Sequence, residues 1–117
     1  MKRHTIHIPI YNGILHVVDC EDLQQAIKDT KSEHECEDHE HFDAFVTSNH
    51  DINPGNWFLF IDLKNCDLSL LVHELFHAAH RVLEYFGIKF TTKNHEPFAY
   101  LIEYLFNECL KLKSDER

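Results

Sequence analysis

The residues of this chain best suited to chemistry are His73 and His77, with Glu74 between them in the string His73-Glu74-Leu75-Phe76-His77. On a helix, residues four apart stand one above the other on the same face. Two imidazoles at this spacing can therefore reach one tetrahedral metal ion. The glutamate at the second position points beside such an ion rather than onto it. There it can take a proton from water, the general-base step of a metal-assisted hydrolysis. Zinc, one ion per chain, suits these ligands. In a chain with 11 His and 20 acidic residues the string arises by chance about one time in ten, so its surroundings must carry part of the argument.

Those surroundings read as helix. Leu71, Val72, Leu75, Phe76, Ala79, Val82, Leu83 and Phe86 recur at helical spacing and make a broad apolar face. Asp67 or Ser69 can cap the start, and Gly87 suits a left-handed cap at the end. Ser69, His73, Glu74, His77, His80, Arg81 and Glu84 form the polar stripe. A third metal ligand is needed, and His80 is a poor choice. It lies ~10 Å of rise from His73, too far for three ligands on one straight helix to converge on one ion. The third ligand is expected from the next element. After a short connection (Ile88 to Lys93), Asn94 can cap a second helix with Pro97 in its first turn. Its buried side would be Phe98, Leu101, Ile102, Leu105, Phe106 and Cys109, with Lys113 to Arg117 frayed. An antiparallel helix pair brings Glu96 back over the first helix. Glu103 and His95 are the alternatives.

The first half supplies the sheet. Ile6, Ile8 and Ile10 alternate, Asn12-Gly13 follows, and Ile14 to Cys20 is a second apolar run, which predicts a hairpin with a type I′ turn. Asp19 or Asp22 can cap a short helix that buries Leu23, Ala26 and Ile27. Lys31 to His41 carries acid and histidine without apolar periodicity. It reads as a solvated loop rather than a second metal site of His34, Cys36, His39 and His41, because that spacing fits no ligand pattern. Phe42 to Thr47 predicts a short strand and Trp57 to Leu63 a buried one, with breakers at Asn53-Pro54-Gly55-Asn56 between them. The expected fold is one α+β domain over residues 1–117, a small, mainly antiparallel sheet packed on the motif helix and a C-terminal helix.

Bulk properties narrow the function. A net charge of -9 argues against nucleic acid, whose phosphates need Lys and Arg. No apolar run approaches the ~20 residues that span a bilayer, and residues 1–11 lack the apolar core of a signal peptide. The four cysteines contain no CxxC pair and read as reduced thiols. The expected location is the cytoplasm of the producing cell.

With eighteen residues (Ala78 to His95) between His77 and Glu96, the HExxH-x18-E pattern resembles the gluzincin zinc metallopeptidases, which include thermolysin-like enzymes and related aminopeptidases. In those families the glutamate ligand sits in an Asn-Glu-x-Phe-like context. Asn94-His95-Glu96-Pro97-Phe98 is similar, with one residue inserted. The string Glu96-Pro97-Phe98-Ala99-Tyr100-Leu101 also resembles small HExxH proteins of phages and bacteria, which implies the cytoplasm of a bacterial or phage-infected cell. The likeness spans Trp57 to Phe106. It implies a minimal zincin-like domain with zinc on His73, His77 and Glu96, Glu74 as general base, and a peptide or protein as substrate. His95, Tyr100, Tyr104 and His80 are the candidate donors to the oxyanion, with Tyr100 standing where the larger enzymes carry an acid. The substrate would pair with an edge strand, either Trp57–Leu63 or Phe42–Thr47. So small a domain could complete its cleft as a homodimer. The alternative is an inactive, zinc-stabilised binding protein on the same scaffold.

Overall fold

The computed structural model describes residues 1–34 and 43–115. Strands β1 (Lys2–Ile8) and β2 (Gly13–Asp19) are followed by helix α1 (Leu23–Asp29) and a 3-10 turn at Lys31–Glu33. Strands β3 (Ala44–Thr47) and β4 (Asn56–Ile61) come next, then the long helices α2 (Leu68–Tyr85) and α3 (Glu96–Asp115). The fold is α+β. Among these residues, no helix is long and apolar enough to cross a membrane.

The sheet order is β1-β2-β4-β3. It is mixed: the β1–β2 and β3–β4 pairings are antiparallel, as expected, but β4 lies between β3 and β2 and runs parallel to β2. This central place explains β4's continuous apolar run. Trp57, Leu59 and Ile61 enter the core under α2 and α3, while Phe58 and Phe60 face the α1 side. A strand covered on both faces has no polar side to show. β3 is an edge strand. It starts at Ala44, and Phe42, expected within it, lies outside the described residues, as do Cys36, His39 and His41.

The β1–β2 hairpin pairs Ile8 with Gly13, so its loop is four residues long instead of a two-residue type I′ turn. Pro9 has no N–H to extend the ladder, and the chain turns through Ile10 (φ 72°) and Asn12 (φ 54°), with the Tyr11 amide donating to the Pro9 carbonyl at 2.8 Å. Gly13 serves close packing. A Cβ there would lie 2.7 Å from Cζ3 of Trp57.

Several ties aim α2. Asp19 accepts from the Leu63 amide at 3.0 Å and so belongs to the β4–α2 turn, leaving Asp22 to cap α1 through the Gln25 amide at 3.1 Å. Asp67 is the N-cap residue of α2 without a side-chain cap bond. At the other end Gly87 (φ 82°) donates to Glu84 O at 2.9 Å and Ile88 to Leu83 O at 2.8 Å. This is the Schellman closure that a left-handed glycine permits. His95, not Asn94, takes the N-cap position of α3, its carbonyl accepting from Phe98 and Ala99 at 3.1 Å each. Asn94 instead donates its side-chain amide to Lys89 O. α3 continues through Lys113, expected to fray, to Asp115. The Lys113 ammonium donates to Leu63, Lys64 and Cys66 carbonyls, so the helix runs antiparallel to α2 and ends where α2 begins.

Candidate metal centre

The rotation of α2 about its axis builds the site. Leu71, Leu75, Ala79, Val82 and Leu83 are buried as expected for the apolar face, joined by Ala78, but Val72 and Phe76 are each 41% exposed and Phe86 is 40% exposed. Glu74 goes inside instead, at 7% exposure. The helix thus buries a carboxylate and shows solvent three apolar side chains. A solvated polar stripe would do the reverse. Among the described residues the Glu74 carboxylate has no hydrogen-bond or ion-pair partner. Burial pushes its pKa up, against smaller downward pulls from His73 and Arg81. An unpaired, partly desolvated carboxylate holds a proton more readily than one in water, as a general base at neutral pH must.

His73 and His77 project outward beside it, one turn apart. Their Nε2 atoms approach to 3.2 Å with the rings at 76°. Two nitrogens bound to one tetrahedral zinc at ~2.0–2.1 Å stand about 3.3 Å apart, so the pair already has the separation that the ion requires. His77 is biased toward its neutral, ligating form by burial first, then by the charges of His73, Arg81 and His80.

The third ligand is not grouped with this pair. Among the described residues no set of three His, Cys, Asp or Glu is arranged to hold a metal. The first turn of α3 does return onto α2, where the Phe98 ring packs on His80 at 5.8 Å and on Phe90 at 4.9 Å. Glu96, two residues earlier, is exposed, its carboxylate 3.9 Å from Nδ1 of its neighbour His95. Glu103 and Tyr100 are exposed as well, Tyr100 at 68%. Tyr104, a candidate donor, is engaged elsewhere, its hydroxyl donating to His7 O at 3.0 Å. His80 lies at the site's edge, with Nδ1 3.4 Å from Glu84. No thiol competes for the chemistry among the described residues. Burial pushes Cys109 up to about 12 and Cys20 to about 11, leaving protonated, unreactive groups.

Beside His77 opens a cleft of about 530 Å³, which the sequence does not announce. One wall is α2, with His77, Arg81 and Tyr85. The other is the connection after β3, with Ser48 and His50, and Trp57 forms part of the lining. The His50 ring stacks on Tyr85 at 4.0 Å and meets Trp57 at 4.8 Å. Nδ1 of His50 accepts from the Gly55 amide at 3.1 Å, and burial favours the neutral ring, so the ring proton sits on Nε2. Trp57 is fully buried, and among the described residues its indole N–H has no acceptor. The signal missed in the sequence was His50, which lies in a stretch read only for its turn residues.

The chain was compared with protein-family models, with curated proteins and with solved structures, and none of the three comparisons found a match.

Proposed function

We propose that this protein is a zinc-dependent peptidase with His73 and His77 as two of the metal's ligands and Glu74 as the general base. One observation carries the reading, the 3.2 Å approach of the two imidazole Nε2 atoms beside a buried, unpaired carboxylate. Glu96 is proposed as the third ligand. The connection preceding it is exposed, and Glu96 itself is exposed in the first turn of α3, whose Phe98 packs on His80 of the motif helix. When bound, zinc supplies a Lewis acid that acidifies water and polarises a carbonyl. Glu74 takes the proton from the attacking water as its oxygen bonds to the peptide carbon. The same carboxyl then hands that proton to the leaving nitrogen as the C–N bond breaks. β3 is the strand available for substrate pairing, because it borders the sheet beside α2, whereas β4 is enclosed by β2 and β3.

The test is Glu74→Gln. It should retain metal and fold while losing peptide hydrolysis by at least about a hundredfold, the usual share of a general base. A Glu74→Gln protein that cleaves a peptide library at the unmodified rate would sink the proposal. Stoichiometric zinc with no cleavage by either protein would instead favour the second reading, a zinc-stabilised binding protein.

A further inference from the structure

In a chain of net charge -9 the cleft beside His77 presents a guanidinium with no direct ion pair among the described residues. Arg81 stands one turn beyond His77 on α2, and among the described residues no carboxylate hydrogen-bonds or closely pairs with its guanidinium, although its charge reaches the buried Glu74. Glu84, the acid in the same cleft, directs its carboxylate to Nδ1 of His80 at 3.4 Å instead. Across the cleft, His50 is held by the Gly55 amide so that its remaining ring N–H is a donor. Two donors thus come from two different elements, with the buried indole N–H of Trp57, which has no acceptor among the described residues, at the same cleft. A polar but uncharged ligand could accept from the guanidinium but could not offset its charge. A carboxylate accepts from a planar fork of N–H groups better than any other common peptide group.

We infer that this cleft selects peptides bearing a carboxylate, with Arg81 as the specificity-determining residue and His50 as its partner donor. The inference rests on the peptidase reading, since the cleft opens directly from His77. Geometry bounds the position of the carboxylate. From His77 to Arg81 the helix rises about 6 Å, the length of roughly two residues of extended peptide. The carboxylate therefore lies about two residues from the scissile bond, on the side of the C-terminal half of α2. An acidic side chain and a free chain terminus both offer this group.

The experiment is a titration of the intact protein, read by calorimetry and by fluorescence of Trp57, the chain's one tryptophan. The probes are acetyl-Ala-Ala with a free terminus, the same peptide amidated, and amidated acetyl-Ala-Asp. One or both carboxylate probes should bind at least about tenfold tighter than the neutral one, as expected for a charge-assisted bidentate contact. Which of the two does so separates chain terminus from side chain. Arg81→Gln should abolish the difference and Arg81→Lys should keep part of it. Equal affinity for all three probes, or a preference unchanged in Arg81→Gln, overturns the inference. Carboxylate-dependent binding without any hydrolysis would defeat the peptidase reading alone. Glu74-dependent hydrolysis that is indifferent to carboxylates would defeat this inference alone.

Discussion

Nε2 of His73 lies 3.2 Å from Nε2 of His77, closer than two neutral rings approach without something shared between them. Either one ring donates its proton to the other, or both offer lone pairs to one cation. Both rings are largely exposed on α2, so water could have solvated each separately. The helix turn below holds them at this distance, and Glu74 beside them is the group that the core has accepted at the expense of solvating Val72 and Phe76.

The first prediction concerns the ion. Protein purified without chelators or a histidine tag should carry about one zinc per chain. His73→Ala and His77→Ala should each lose it, since one imidazole with the proposed carboxylate does not retain zinc. Added zinc at a hundredfold over Kd should stabilise the native state by about 2.7 kcal/mol, visible as a rise in Tm. Unchanged metal content in both variants would contradict the site.

Gly13→Ala tests how the cleft is supported. The added methyl would meet Cζ3 of Trp57 at 2.7 Å and lie 3.3 Å from Gly55 O. Trp57 is fully buried, so it can yield only by pushing on its neighbours, among them His50, Tyr85 and Phe86. Overpacking of this kind destabilises by about 1–3 kcal/mol. The Tm should fall and the Trp57 emission should shift. A variant with native Tm and native emission would show that the indole has room to spare.

What was legible in the sequence was local. The two long helices, the hairpin and the β4 run follow from periodicity and end signals, because burial on one or two faces writes itself directly into the order of residues. The place of β4 between β2 and β3 was not legible, because strand order depends on pairings far apart in sequence. The same holds for Glu74. The helical spacing of apolar residues put Val72 and Phe76 inside and Glu74 on the polar stripe. The rotation of α2 that reverses this comes from packing against β3 and α3. The cleft wall at His50 depends on the β3–β4 connection folding over α2, and no spacing within either segment encodes that contact.

Acid should loosen the α1 side of the sheet in two stages. Burial lowers the pKa of His34, whose Nε2 is 2.8 Å from the Thr30 hydroxyl. The stabilisation from its neutral form is complete above the ordinary value of 6.5 and is lost as pH falls through the lower folded value. Arg3 forks onto Glu33 and holds its carboxyl below 4.5. That contribution persists above 4.5 and disappears as pH falls through the folded value. The pair is about one-third exposed, so its share is under about 1 kcal/mol. Tm measured from pH 8 to pH 3 should show the upper stage vanish in His34→Asn and the lower one shrink in Glu33→Gln. A His34→Asn curve parallel to that of the unmodified protein between pH 7 and pH 5 would exclude the first assignment.

Lys113→Met separates the anchoring of α2 from its chemistry. The Lys113 ammonium donates to the carbonyls of Leu63 at 2.6 Å, Cys66 at 3.0 Å and Lys64 at 3.2 Å, tying the last turn of α3 to the turn that launches the motif helix. Methionine keeps most of the aliphatic stem but leaves three carbonyls without their donor. A buried acceptor left unsatisfied costs about 1–3 kcal/mol, and water can reach part of this turn, so the lower half of that range is expected. The effect should concentrate at the N-terminal end of α2, where amide exchange at residues 63–70 should accelerate while residues 78–85 stay protected. His73 sits little more than one turn inside that end. Zinc affinity should therefore fall modestly, by far less than in His73→Ala, because the ligands remain and only their support loosens. Native Tm and unchanged exchange at residues 63–70 would show that the lysine merely rests on the turn rather than holding it.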